Sequence, residues 1–250
     1  MKKIREIGSL SYSQMSAYLT CPRLWYERYV LGHKYESYSL ALSFGIAFHV
    51  GMEKMMQGWN DRVCLENAIS KFEWEYHFGR NPASDDDLYP WLTRGQQMLT
   101  NMHSLLRSMD FRPVAIEKEC VQKNFRGRAD CLAIVDGKRT LIDWKTSSGK
   151  FDDKKVNNDE QLTAYGWMLP GEWEGMAFGV VDKKTYEAYW YPTSRTPQQI
   201  QEFEVKVLEI RTELETSEKF LGAYTKQACL AWNSKCDMWA GGFCRGLDSF

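Results

Sequence analysis

The absences in this sequence are as informative as its motifs. No stretch is apolar for long enough to cross a bilayer, which removes membrane-spanning roles. The opening MKKIREIGSLSYSQ has lysines but no apolar run behind them, so no secretory leader is read and a cytoplasmic chain is expected. No internal repeat, low-complexity tract or Gly/Ser linker occurs, which excludes solenoids and tethered arrays. No GxxxxGK[ST] pattern is present, so the chain is not expected to consume ATP itself. Charge of either sign is also lacking in excess. The formal net charge is −1, so a nucleic-acid partner would have to be held by local basic patches rather than by a global field.

What is present fits a globular domain. A chain of 250 residues with 44% apolar content can bury a large core. Seven cysteines in a reducing compartment point to metal ligation or plain burial rather than disulfides. Ten tryptophans and thirteen tyrosines exceed ordinary use; most are expected in the core, with some available to stack on bases.

The hydrophobic periodicity predicts helices over 13–30 (interrupted at Cys21-Pro22), 40–59, 65–78 and 91–109, with Asn81-Pro82 and Asp85-Asp86-Asp87 forming a loop before the last. Strands are predicted over 114–121, 129–135, 140–144, 176–182 and 186–191. Helices are predicted over 159–168 and 197–218, then an irregular tail from Gly222. The expected architecture is one α/β domain. Residues 1–110 form a helical N-terminal part, 111–220 a mixed sheet flanked by helices, and 221–250 a cysteine-bearing tail packing on the N-terminal part.

The sharpest signal lies in GRADCLAIVDGKRTLIDWK. Asp136-Gly137 is a favoured centre for a two-residue hairpin turn, because both central positions need positive φ. Such a turn pairs residues whose numbers sum to 273, and Asp130 and Asp143 do so. They would face each other from the same side of the sheet. Like charges so placed repel, and inside an apolar sheet one of them would take up a proton. A divalent cation removes the conflict. Lys145, two residues on, projects from the same face. Two carboxylates and a lysine can hold Mg²⁺ or Mn²⁺ and stabilise charge developing on a phosphate. A surface hairpin with a salt bridge is the alternative, but Leu132, Ile134, Leu141, Ile142 and Trp144 make both faces apolar.

Gly45 and His49, then Asp130, then Asp143-Trp144-Lys145, then Gln161 and Tyr165 follow the order GxxxH, D, DxK, QxxxY. Together with the opening SYSQMSAYLTCPRLWYERYV, this order resembles the RecB-like branch of the PD-(D/E)XK nucleases. The resemblance implies a restriction-endonuclease-like fold. It implies that His49, Asp130, Asp143 and the Trp144 backbone carbonyl line a Mg²⁺ or Mn²⁺ site, that Lys145 orients or activates water, and that Gln161 and Tyr165 line the active site and the DNA path. Glu117 or Glu119 would touch the metal shell. Arg126 and Arg128 are phosphate-contact candidates, with Arg23, Arg28, Lys154 and Lys155 weaker ones. The family also implies that Cys21, Cys229, Cys236 and Cys244 clasp the tail through a four-iron four-sulfur cluster; four thiolates suit zinc equally. Cys64, Cys120 and Cys131 are read as core.

The implied activity is a DNA exonuclease acting on single strands or duplex ends. Phage-type recombination, replication or repair is the expected setting, with CRISPR adaptation as the alternative and a helicase or recombination protein as a conceivable partner. A non-catalytic DNA-binding module of the same fold, or a metal-thiolate redox protein, would be the rival readings.

Overall fold

A computed structural model describes residues 7–34, 40–79, 85–148, 151–220, 222, 226–230 and 235–246. In chain order the elements are α1 (Tyr12–Thr20), α2 (Pro22–Trp25), a π-helical turn (Tyr26–Val30), α3 (Leu40–Gln57), α4 (Cys64–Phe78), α5 (Asp85–Arg107), β1 (Phe111–Gln122), β2 (Phe125–Val135) and β3 (Lys138–Ser147). There follow α6 (Asp153–Asn158), α7 (Glu160–Met168), β4 (Gly175–Asp182), β5 (Ala188–Thr193), α8 (Pro197–Thr216), α9 (Lys226–Cys229) and α10 (Asp237–Ala240). No described helix is long and apolar enough to cross a membrane.

The chain divides into two compact units. The larger holds Tyr38–Cys120 and Gly127–Gln201; the smaller holds Met1–Ser37, Val121–Arg126 and Glu202–Phe250. The strands form a five-stranded sheet in the order β1-β2-β3-β4-β5. It is a mixed sheet: β2 and β3 are antiparallel, β3 and β4 parallel, β4 and β5 antiparallel. A parallel pair needs a crossover, and α6 and α7 supply it. This mixed sheet with flanking helices is the α/β architecture expected.

The hairpin between β2 and β3 obeys the predicted arithmetic. Asp136 and Gly137 adopt φ of 49° and 82°, and the ladder runs from Val135↔Lys138 to Cys131↔Ile142. On one face, Cys131, Ala133, Val135, Ile142 and Trp144 join Phe44, Phe48, Met52, Phe72, Tyr76 and Met102 of the helices in a continuous core. Each such large side chain contributes about 1.5–3 kcal/mol by leaving water. Trp144 lies flat across β4 because its neighbour is Gly179, where a Cβ would come within 2.4 Å of the indole.

Several boundaries depart from expectation. The Asp85-Asp86-Asp87 run opens α5 rather than forming a loop, and Pro90 sits inside that helix. Asn81-Pro82 lies outside the described residues. The helix over 13–30 breaks at Cys21, as expected, but resumes as α2 with Pro22 in its first turn and loosens to π geometry at Tyr26. The last strand starts at Ala188, because Tyr186 has φ of 62° in the preceding turn.

In the smaller unit, Leu10 bridges Phe125 in parallel, and Tyr18 donates to Glu213 at 2.9 Å. Trp25 and Tyr26 pack on Phe220.

Candidate active site

The ladder that ends at Cys131↔Ile142 sets Asp130 and Asp143 opposite one another at its next step. Both side chains are buried, Asp143 completely. Asp130 Oδ2 accepts the Trp144 backbone N–H at 2.9 Å, which fixes its carboxylate against β3. His49 Nδ1, on α3, lies 3.4 Å from the same oxygen. Among the described residues, Asp143 Oδ2 has only the Lys145 ammonium, 2.7 Å away, and Oδ1 has no hydrogen-bond partner. Lys145 Nζ also donates to Gln161 Oε1 at 2.9 Å, and Gln161 Nε2 donates to the Tyr165 hydroxyl at 2.8 Å. Asp143, Lys145, Gln161 and Tyr165 thus form one connected chain.

Local structure explains why α7 delivers the last two. Asp159 caps it by accepting the Leu162 N–H at 2.9 Å, and the i, i+4 spacing sets Gln161 and Tyr165 on one face. The Tyr165 ring lies against β2 at Gly127, where a Cβ would approach Cε1 to 3.2 Å. Buried Arg195 secures the N-terminal end of α7 by donating to the Asp159 carbonyl at 3.0 Å and to Thr163 Oγ1 at 2.8 Å.

The electrostatics follow from crowding. Burial, and then the Asp130 charge, push the Asp143 carboxyl up to about 7 despite Lys145. Burial alone would lower Lys145, but the charge and hydrogen bond of Asp143 together with the charges of Asp130 and Asp159 hold the ammonium above its usual range. For His49, burial works downward too, yet the contact with Asp130 leaves the imidazole more basic than usual. Burial and the Asp143 charge raise Tyr165, so it stays a neutral phenol.

Between the two glutamates, the structure favours Glu117. Its backbone is left-handed, with φ of 50°, inside β1. Its carboxylate meets Arg128 Nε at 2.5 Å and lies in the field of Asp130, Glu53 and His49. Burial and the Asp130 charge raise its pKa. Glu119 is exposed. Glu53, one helical turn beyond His49, had no motif to announce it. Arg128 keeps a largely exposed side chain, and Arg126 is exposed as well.

The sequence from Ser9 to Arg245 matches a family model described as the PD-(D/E)XK nuclease superfamily. The chain belongs to the PD-(D/E)XK nuclease superfamily. Among solved structures, a candidate exonuclease from Eubacterium rectale is similar over 85% of this chain and 83% of its own, at 13% identity and a TM-score of 0.55, which bears on fold alone. The protein SSO0001 covers 94% of this chain and 96% of its own at 14% identity, but its TM-score of 0.35 carries no argument. No curated protein matches the sequence.

PD-(D/E)XK nucleases generally use divalent metal ions. Among the described residues, no three histidine, cysteine or acidic groups converge at metal-holding spacing. The donor set still suits a hard cation: a fully buried carboxylate with an unpartnered oxygen beside a second carboxylate is chemistry that Mg²⁺ or Mn²⁺ completes. The Trp144 amide N–H is tied to Asp130.

In the smaller unit, Cys21, Cys229, Cys236 and Cys244 lie within electrostatic reach of one another. Cys21 caps α2, its sulfur accepting the Leu24 N–H at 3.4 Å, and the Cys236 N–H donates to the Cys229 carbonyl at 3.0 Å. Burial raises the Cys21, Cys229 and Cys244 thiols. Arg23 pairs with Glu27, and Arg28 with Asp237 at 2.9 Å. Cys64, Cys120 and Cys131 are buried.

Proposed function

We propose that this chain is a RecB-like, divalent-metal-dependent DNA exonuclease, built as a single nuclease domain, with Asp130, Asp143 and Lys145 at its centre. Membership of a nuclease superfamily supports hydrolysis of phosphodiester bonds and implies DNA as the substrate. The observation that carries the site is Asp143: a carboxylate with no exposure and an unpartnered oxygen has no structural use of its own, and is costly unless a cation joins it.

In this reading Asp130, Asp143 and the Trp144 carbonyl hold Mg²⁺ or Mn²⁺, with His49 at the same site. Bound there, the cation supplies Lewis acidity toward water and a phosphate oxygen. Lys145 would orient or activate the attacking water and, with the cation, stabilise charge developing on the phosphate. Gln161 holds the ammonium in place, and Tyr165 supports Gln161. Arg126 and Arg128 contact backbone phosphates, and Tyr165 lines the DNA path.

Cys21, Cys229, Cys236 and Cys244 hold a four-iron four-sulfur cluster, or zinc, as a clasp on the tail. A phage-type role in recombination, replication or repair in the cytoplasm, with a helicase or recombination protein as partner, is favoured over CRISPR adaptation by the first tail gap, CLAWNSKC.

The test is digestion of end-labelled single-stranded and duplex DNA with Mn²⁺ or Mg²⁺, using wild type, Asp143→Ala and Lys145→Ala. Cleavage by the wild type alone, with mononucleotide products, is the expected result. Equal cleavage by all three would assign the activity to a contaminant. Binding without cleavage by any would favour a non-catalytic module.

A further inference from the structure

The sheet register links the catalytic row to a second feature that the nuclease reading leaves unused. Asp143 pairs with Phe178, and Phe178 with Tyr191; Lys145 pairs with Val180, and Val180 with Tyr189. Directly paired residues point to the same side of a sheet, so Tyr189 and Tyr191 share the face of Asp143 and Lys145. Two strand spacings separate them, about 10 Å. The alternate residues of β5, Ala188 and Trp190, pack on the helical core instead.

The two tyrosines are partly exposed on β5, at the edge of the sheet. Their ring centroids lie 6.1 Å apart at an interplanar angle of 37°. Both rings are braced. Tyr191 stacks on Phe151 at 5.9 Å and 27°, and Phe151 in turn packs edge-on over Phe178 at 5.6 Å. The Tyr189 hydroxyl donates to the Glu187 carboxylate. Lys155 places its ammonium 3.7 Å above the Phe151 ring, at the rim of the patch.

We propose that Tyr189 and Tyr191 form a stacking platform for the bases of a DNA single strand engaged at the Asp143–Lys145 row. Rigid, pre-placed rings lose little freedom when a base stacks on them, and every base offers a π face whatever the sequence. A duplex keeps its base faces against one another, so only an unpaired strand can use the platform. Lys155 supplies the cation for the adjoining phosphate. The proposal deepens the nuclease reading by naming the single strand as the substrate form, and depends on that reading only for where the strand leads.

The experiment is fluorescence anisotropy of a labelled oligothymidine and of a duplex of equal length, with EDTA present to prevent cleavage. Wild type is compared with Tyr189→Ala, Tyr191→Ala, Tyr191→Leu and Tyr191→Phe. Turnover of thymidine 5′-p-nitrophenyl phosphate with Mn²⁺ is measured in parallel. The Ala and Leu variants should bind oligothymidine about tenfold more weakly, with duplex affinity unchanged and Tyr191→Phe close to wild type. The small ester has no neighbouring nucleotide to stack, so its turnover should be retained, showing that fold and site are intact. Unchanged oligothymidine affinity in the Ala variants overturns the proposal, as does equal loss on single strand and duplex. If the wild type cleaves neither ester nor DNA while the variants still lose oligothymidine, the nuclease reading fails and the platform stands.

Discussion

The hairpin that carries Asp130 and Asp143 and the tail that carries Cys229, Cys236 and Cys244 are held by different means. In the hairpin, a continuous ladder, a tight Asp136-Gly137 turn and a buried core on one face fix the backbone. In the tail, the described helices α9 and α10 are four residues each, linked by the Cys236 N–H to the Cys229 carbonyl at 3.0 Å. The first region imposes its geometry on its charges; the second is held by separate contacts such as the Arg28–Asp237 pair and the stacking of His33 on Phe243. A ligand at the hairpin would therefore relieve strain that the fold has created, whereas a ligand at the tail would itself create order.

The comparison breaks most visibly at the hairpin's chemistry. Lys145→Ala should lower cleavage of labelled DNA by about a hundred- to a thousandfold, the usual loss when one group that stabilises transition-state charge is removed. Asp143→Ala should cost at least as much.

A purely structural change behaves the opposite way. Gly179→Ala drives a Cβ to 2.4 Å from the Trp144 ring, so urea denaturation should report a loss of about 1–3 kcal/mol. Activity per folded molecule should change far less than in the Lys145 variant.

The pH dependence sharpens the claim of strain. A native Asp143 pKa of about 7, above the ordinary 3.8, means the folded state binds that proton more tightly than the unfolded chain. Its contribution to stability is then complete below about pH 4 and is lost as pH rises through about 7. Metal-free Asp143→Asn should accordingly melt higher than wild type at pH 8, by a margin that shrinks steadily as pH falls towards about 4. Added Mg²⁺ should raise the wild-type melting temperature at pH 8 and leave the variant unmoved.

The smallest effect belongs to the tail. If the four cysteines bind a metal as proposed, Cys21→Ser or a chelator should speed tryptic cleavage of the tail several-fold and leave the ladder of β2 and β3 protected from hydrogen exchange.

How much of this was legible in the sequence depended on whether a local rule governed the element. The β2–β3 register was, because an Asp-Gly turn permits one pairing, and the ladder follows it residue for residue. The i, i+4 pair Gln161 and Tyr165 was, because helical spacing alone places them together. Glu117 was not separable from Glu119, since strand alternation sets residues two apart on one face and nothing in the sequence announces the left-handed backbone at Glu117. The start of α5 was hidden because acidic residues and a proline read as a loop. The Tyr189–Tyr191 face was invisible for a deeper reason: it depends on a parallel pairing across α6 and α7 that no short stretch encodes.

The most direct test of the central claim is carboxyl titration by ¹³C NMR on metal-free protein with labelled aspartate. One side chain should titrate near pH 7, be absent from Asp143→Asn, and lose that midpoint when Mg²⁺ or Mn²⁺ saturates the site. If every aspartate instead titrates below about pH 5 without metal, the two carboxylates are not crowded, and no cation is needed to reconcile them.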